Sequence, residues 1–183
     1  MSDHRALPLR EVAGQGRYGA ADLTPGVILS IVHPVSLVQV LARKGSGQII
    51  GEALTGFKSL RVMPAGPDQY YVQASGKPEG WLAADLKKRL GTKASIVDQS
   101  HGRVVIAIDG PKSRAVLAKG TPVDFHVDHF AIGQSAQTQM AHVGVHITRT
   151  GSDAFQISVF RGFSESLWEF LCTAAAEFAY QVN

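Results

Sequence analysis

The chain has a single cysteine, Cys172, in 183 residues. An internal disulfide is therefore excluded, and the reducing cytoplasm is the expected setting. Charge is also scarce. Asp, Glu, Lys and Arg make up 18% of the residues, against about a quarter in a typical soluble domain. A surface lean in charge leaves more area for protein contacts. Long apolar runs are missing too: Val27–Val32 is far too short to cross a bilayer. The opening residues, MSDHRALPLREVAG, lack the apolar centre of a secretory leader. A soluble protein is expected. The net charge of +3 is spread along the chain, and Lys87-Lys88-Arg89 falls at the end of an expected helix. There it complements the helix dipole, and no aromatic platform beside it points to nucleic acid. What is present is 45% apolar residues, enough for a core. The length fits a single domain over 1–183, or two small halves packed together.

Local patterns give an alternation of strands and helices. A short strand is expected at Leu9–Val12 and a buried strand at Val27–Val32. Pro34 suits the first turn of a helix running to Arg43. Gly45–Gly56 holds four glycines and reads as a loop. Strands follow at Leu60–Met63 and Tyr70–Ala74, then a helix from Glu79 to Leu90. Further strands are expected at Ile96–Asp98 and Arg103–Ile108, then a helix between Pro111 and Gly120. Gln137–Thr148 reads as one strand with Val143, Val145 and Ile147 on one face. Asp153–Phe160 is another strand. Ser164, as N-cap, opens a long helix to Tyr180 with Leu167, Leu171, Ala174 and Phe178 in an apolar stripe.

The order repeats. Val27–Ser36 lines up with Val104–Ser113, and Asp68–Val72 with Asp153–Ile157, each of the latter leading into a helix that carries a tryptophan, Trp81 or Trp168. The pattern predicts an α+β fold of two pseudo-symmetric strand-helix-strand-strand-helix halves, 26–91 and 96–180. Trp168 is expected to anchor its helix to the sheet.

Candidate chemical motifs fail on their context. Gly14-Gln-Gly16-Arg-Tyr-Gly19 has dinucleotide-fingerprint spacing, but Pro25 blocks the following helix and no acidic residue occurs between Leu23 and Gly51. A flexible glycine loop is the better reading. His142 and His146 would lie about 13 Å apart along a strand, too far for one metal ion. Asp124, His126, Asp128 and His129 crowd a turn-like segment without a second matched pair. Cys172 sits beside an apolar helix stripe and reads as structural. Asp98, Ser100 and His101 are adjacent in sequence and read as turn capping, since triad members come from separate segments. No catalytic, cofactor-binding or metal-binding residue is expected in this chain.

What remains is the pattern Val97-Asp98-Gln-Ser100-His101-Gly102-Arg103, then Gly110-Pro111 and Leu117-Ala-Lys-Gly120-Thr-Pro122-Val-Asp124. With Phe130-Ala-Ile-Gly133, Gln137-Thr138, Ser164-Glu-Ser-Leu167-Trp168-Glu-Phe-Leu171 and Gly66-Pro67-Asp68, it resembles the gamma subunit of heterotetrameric sarcosine oxidase. The resemblance runs from about Leu60 to Phe178. That family is in turn similar to the folate-binding domain of the glycine-cleavage T-protein, an aminomethyltransferase. The T-protein carries an acidic pair on the strand that here reads Met140-Ala-His-Val-Gly-Val-His-Ile147, which has no Asp or Glu. Alanine, glycine and valine cannot replace a carboxylate as partner for a folate N–H.

The resemblance implies a structural gamma subunit of an oxidoreductase that oxidatively demethylates sarcosine or a related secondary amine. The implied partners are alpha and beta subunits and a small zinc-binding delta subunit. FAD, FMN, NAD, tetrahydrofolate and zinc are implied on those other subunits and none on this chain. No nucleic acid or membrane partner is implied. The alternative is a stand-alone folate-binding or aminomethyltransferase-like protein. Interfaces are expected at the poorly matching parts, the Gly45–Gly56 loop and the glycine-rich first residues, with an exposed apolar patch.

Overall fold

Val35–Ala42 is a strand, not the helix expected after Pro34, in the computed structural model of the chain, which describes residues 9, 11–20 and 22–183. The valines at 35, 38 and 40 favour extended backbone. Both faces of this strand are buried, so it lacks the alternation that marks a half-exposed strand. In chain order the strands are β1 (Gly16–Tyr18), β2 (Val27–Ile31), β3 (Val35–Ala42), β4 (Arg61–Gly66), β5 (Gln69–Ser75), β6 (Ala94–Asp98), β7 (Arg103–Asp109), β8 (Ser135–Met140), β9 (Val143–Arg149), β10 (Ala154–Phe160) and β11 (Tyr180–Val182). The helices are α1 (Gly47–Thr55), α2 (Trp81–Leu90), α3 (Ser113–Ala118) and α4 (Ser164–Ala175).

The chain divides into two compact units, Pro34–Arg103 and, discontinuously, the described residues up to His33 with Val104–Asn183. These limits differ from the expected halves 26–91 and 96–180. The first unit runs β3-α1-β4-β5-α2-β6, with an antiparallel sheet ordered β4-β5-β3-β6. This is the split β-α-β arrangement. Val38, Val40 and Val72 pack against Ile50 and Leu54 of α1 and Leu82, Leu86 and Leu90 of α2. Burying each such side chain contributes about 1.5–3 kcal/mol. Helix α1 replaces the expected Gly45–Gly56 loop. Its Gly47 permits close approach: a Cβ there would lie 1.8 Å from the Asp68 carboxylate.

The second unit holds a seven-stranded sheet ordered β1-β11-β2-β7-β10-β9-β8. Its core joins Leu29, Ile106, Ile108, Ile147, Phe155 and Ile157 of the sheet to Leu117 of α3 and Leu167, Trp168 and Leu171 of α4. Strand, helix, antiparallel strands and helix recur in both units, with three strands, β8 to β10, in the second where the first has two, β4 and β5, so the pseudo-symmetric α+β plan holds. Its phase is corrected, however. β2 is not the counterpart of β7 but its antiparallel neighbour, with Leu29 opposite Ile108. β3 occupies the position of β7, and β5 that of β10.

Other expectations are also corrected. The described residues of the expected strand, Leu9, Glu11 and Val12, lie in a turn, with the Val12 N–H donating to Leu9 O at 3.1 Å, and the glycine segment after it supplies edge strand β1. The expected single strand Gln137–Thr148 is the hairpin β8–β9, whose turn residues Ala141 and His142 both have positive φ, 48° and 68°. α3 and α4 are shorter than expected, and Tyr180 belongs to β11. Ser164 is the first helical residue and donates to Arg161 O at 2.7 Å instead of capping α4. Phe178 lies beyond that helix, in a short 3₁₀ turn. No helix among the described residues is long and apolar enough to cross a membrane.

Candidate functional site

Asp98, Ser100 and His101 lie at the end of β6, and each is committed to a structural bond. The Asp98 carboxylate accepts from the Ser100 N–H at 2.9 Å, an Asx turn. The Ser100 hydroxyl accepts from the Leu37 N–H at 3.0 Å and donates to the Leu37 carbonyl at 3.4 Å. It thereby stitches the β6 end to β3. His101 Nε2 meets Glu79 Oε1 at 2.6 Å. Asp98 thus caps the turn at this strand end, as the sequence implies.

Asp124, His126, Asp128 and His129 sit on an irregular loop between α3 and β8. His129 Nδ1 meets Asp124 Oδ2 at 2.5 Å, and the His126 N–H donates to Asp124 Oδ1 at 2.9 Å. These two bonds hold the Asp124 carboxyl below its ordinary range, the His129 contact contributing most. His126 Nδ1 lies 3.5 Å from Asp128. The four side chains are paired two by two around solvent, and among the described residues no group of three or more His, Cys, Asp or Glu is gathered to hold a metal ion.

From beneath, the same loop is held by residues that sequence reasoning did not single out. Phe125 and Phe130 are buried and pack edge-on, 5.3 Å apart, with Phe125 also edge-on to Phe155 at 5.5 Å. The buried Arg149 guanidinium donates to the carbonyls of Phe130 at 2.6 Å, Gly151 at 3.1 Å and Ser152 at 3.0 Å. Arg114 on α3 donates to the Phe125 carbonyl at 3.1 Å and pairs with Asp153. The one sequence signal for Arg149 is a cation closing an otherwise apolar, alternating strand.

The remaining suspects are dispersed. Gly16 and Tyr18 belong to β1, where the Tyr18 ring stacks on Tyr180 at 5.0 Å. The motif therefore runs into a strand and opens no helix. His142 is exposed in the β8–β9 turn while His146 is buried in β9. Cys172 is half-buried, and burial pushes its thiol up in pKa. The Tyr180 hydroxyl that bonds it opposes this more weakly. A thiol of that kind is a poor nucleophile at neutral pH. Trp168 is buried at 3% exposure, whereas Trp81 is 36% exposed beneath the Lys77 ammonium at 4.8 Å. The two tryptophans are thus not equivalent anchors. Lys87, Lys88 and Arg89 occupy the last turn of α2 and are exposed.

Residues 51–182 match the GCVT N-terminal domain family. Over 178 residues the chain is 31% identical to the sarcosine oxidase subunit gamma of an Arthrobacter species, spanning 95% of this chain and 82% of that one. A chain of the heterotetrameric sarcosine oxidase from Corynebacterium sp. U-96, solved in complex with pyrrole 2-carboxylate, superposes with a TM-score of 0.75 at 26% identity. That superposition covers 88% of both chains. The glycine cleavage system aminomethyltransferase T from Bartonella henselae superposes with a TM-score of 0.66 at 19% identity, over 95% of this chain and 57% of that one, a likeness of fold.

Proposed function

The chain belongs to the sarcosine oxidase gamma subunits, on the GCVT N-terminal domain fold, and on that premise we propose that it is the non-catalytic gamma subunit of a heterotetrameric sarcosine oxidase-like complex. That complex oxidatively demethylates sarcosine or a related secondary amine. Alpha and beta subunits and a small zinc-binding delta subunit are its partners, and the location is cytoplasmic. The observation that carries this reading is the likeness to an oxidase subunit over 88% of both chains.

The chain's own residues support a structural role. Ser100, His101 and Asp124 are engaged in turn and pairing contacts, and the Cys172 thiol is held protonated by burial. A folate amine calls for a carboxylate partner. Met140–Ile147 offers instead a turn of Ala141 and His142, an exposed Gly144, and buried Val145 and Ile147. These residues do not fit tetrahydrofolate. The FAD, FMN, NAD, tetrahydrofolate and zinc of such a complex are assigned to the other subunits.

Purification of the tagged chain from its native cell tests the reading. It should carry with it larger flavin-bearing chains, and the isolated chain should be colourless and inactive. A chain that purifies alone and binds tetrahydrofolate with micromolar affinity by calorimetry would move the function to a stand-alone folate protein.

A further inference from the structure

The loop from Asp124 to Gln134 is irregular in backbone yet tied down at almost every step. Besides the Arg149, Arg114 and phenylalanine contacts, Phe130 N–H donates to His126 O at 2.9 Å and Gly133 N–H to Arg149 O at 2.8 Å. The Gln134 side chain accepts from the Ala131 N–H at 2.9 Å. A loop fixed this way has already lost the entropy that binding would otherwise cost. Outward it presents two large apolar side chains, Val127 at 50% and Ile132 at 62% exposure, among the exposed His126, His129, Asp124 and Asp128. Compact ordered surface loops of this length, packed by their own side chains, are commonly functional.

Charge narrows the partner. The chain is net basic at +3, yet no Lys or Arg lies between Lys119 and Arg149 in sequence. Asp124 and Asp128, both well exposed, are the carboxylates of this stretch. We propose that the 124–134 loop is a preformed docking knob whose Val127 and Ile132 enter an apolar socket, rimmed by Lys or Arg side chains, on a neighbouring subunit of the oxidase complex. This rests on the gamma-subunit reading and names one of its interfaces, a different segment from the expected Gly45–Gly56 loop. Central apolar side chains in rigid surroundings carry most of the affinity of such contacts, and the acidic flank sets orientation and salt dependence.

The test uses the complex co-expressed with tagged wild-type or variant chain, reading flavin absorbance per tagged chain and dissociation on dilution. Ile132→Asp should weaken association by at least about 30-fold with an unchanged melting temperature of the isolated chain, since Ile132 supports no core. Asp128→Lys should weaken it about tenfold at low salt, a difference that shrinks as salt screens it. Ile49→Asp, at an exposed site on α1, should stay within about threefold of wild type. Retention of the complex by Ile132→Asp, or an equal loss with Ile49→Asp, would overturn the docking assignment while leaving the gamma-subunit reading intact. Failure of wild-type chain to bring down flavin-bearing chains would sink both. Self-association of the isolated chain that Ile132→Asp abolishes would overturn it in favour of a second copy as occupant.

Discussion

The Arg149 guanidinium donates to the Phe130 carbonyl at 2.6 Å from a buried position beneath the Asp124–Gln134 loop. One planar cation thereby satisfies backbone carbonyls on two segments, Phe130 on one side and Gly151 and Ser152 on the other. Removing it takes the donor from the buried Phe130 carbonyl and from Gly151 O, while Ser152 O keeps the Arg114 guanidinium. Arg149→Ala should cost about 2–3 kcal/mol in urea unfolding, the loss of charge-assisted bonds to a buried carbonyl. Arg149→Lys should recover little, because an ammonium lacks the fork geometry. Hydrogen exchange should quicken first in 125–134.

Trp168→Ala should cost about 3–5 kcal/mol, since the ring is buried in the second unit's core. Trp81→Ala should cost no more than about 1 kcal/mol, the value of an exposed cation–π contact with Lys77. Equal losses in thermal melts of the two variants would show that both rings are anchors.

Acid should loosen the Asp124 turn within a defined window. In the fold the Asp124 carboxyl titrates below its ordinary range because His129 and the His126 N–H bond to its charged form. Its contribution is present above the unfolded value of about 3.9 and is lost as pH falls through the lower folded value. A carboxyl-carbon titration by NMR should give a midpoint below 3.9 for Asp124. Asp124→Asn should flatten the acid limb of the stability profile over that window.

The β8–β9 turn stores relievable strain. Ala141 and His142 both hold positive φ, as a two-residue turn between Met140 and Val143 requires. Asparagine followed by glycine meets that demand at low cost. Ala141→Asn with His142→Gly should raise stability by about 1 kcal/mol in denaturant melts.

The same turn shows why part of the fold escapes sequence reading. It carries none of the residues that mark a hairpin, so β8 and β9 merge into one apparent strand. α1 hides behind its glycines, one of which is there because Asp68 packs against it. β2 and β7 look alike because neighbours inside one sheet meet the same apolar surroundings, and likeness of environment passes for likeness of position. The Asp68–Val72 and Asp153–Ile157 alignment is right because an acidic turn running into an alternating strand is a local signal. The Asp98–Ser100 cap is legible for the same reason. Arg149 is not, since its partners lie on a distant stretch of chain that only the fold brings to it.

The interleaving of the second sheet sets an order of assembly. β2 is synthesised early, yet both strands that flank it, β7 and β11, emerge only after the whole of Pro34–Arg103. That intervening segment is continuous and has its own core, so it can close while translation proceeds. β2 meanwhile waits with apolar residues uncovered, an exposure that favours aggregation. Slow decoding or stalling past Arg103 should lower the yield of folded chain more than stalling within Pro34–Arg103, where the first core is still being made.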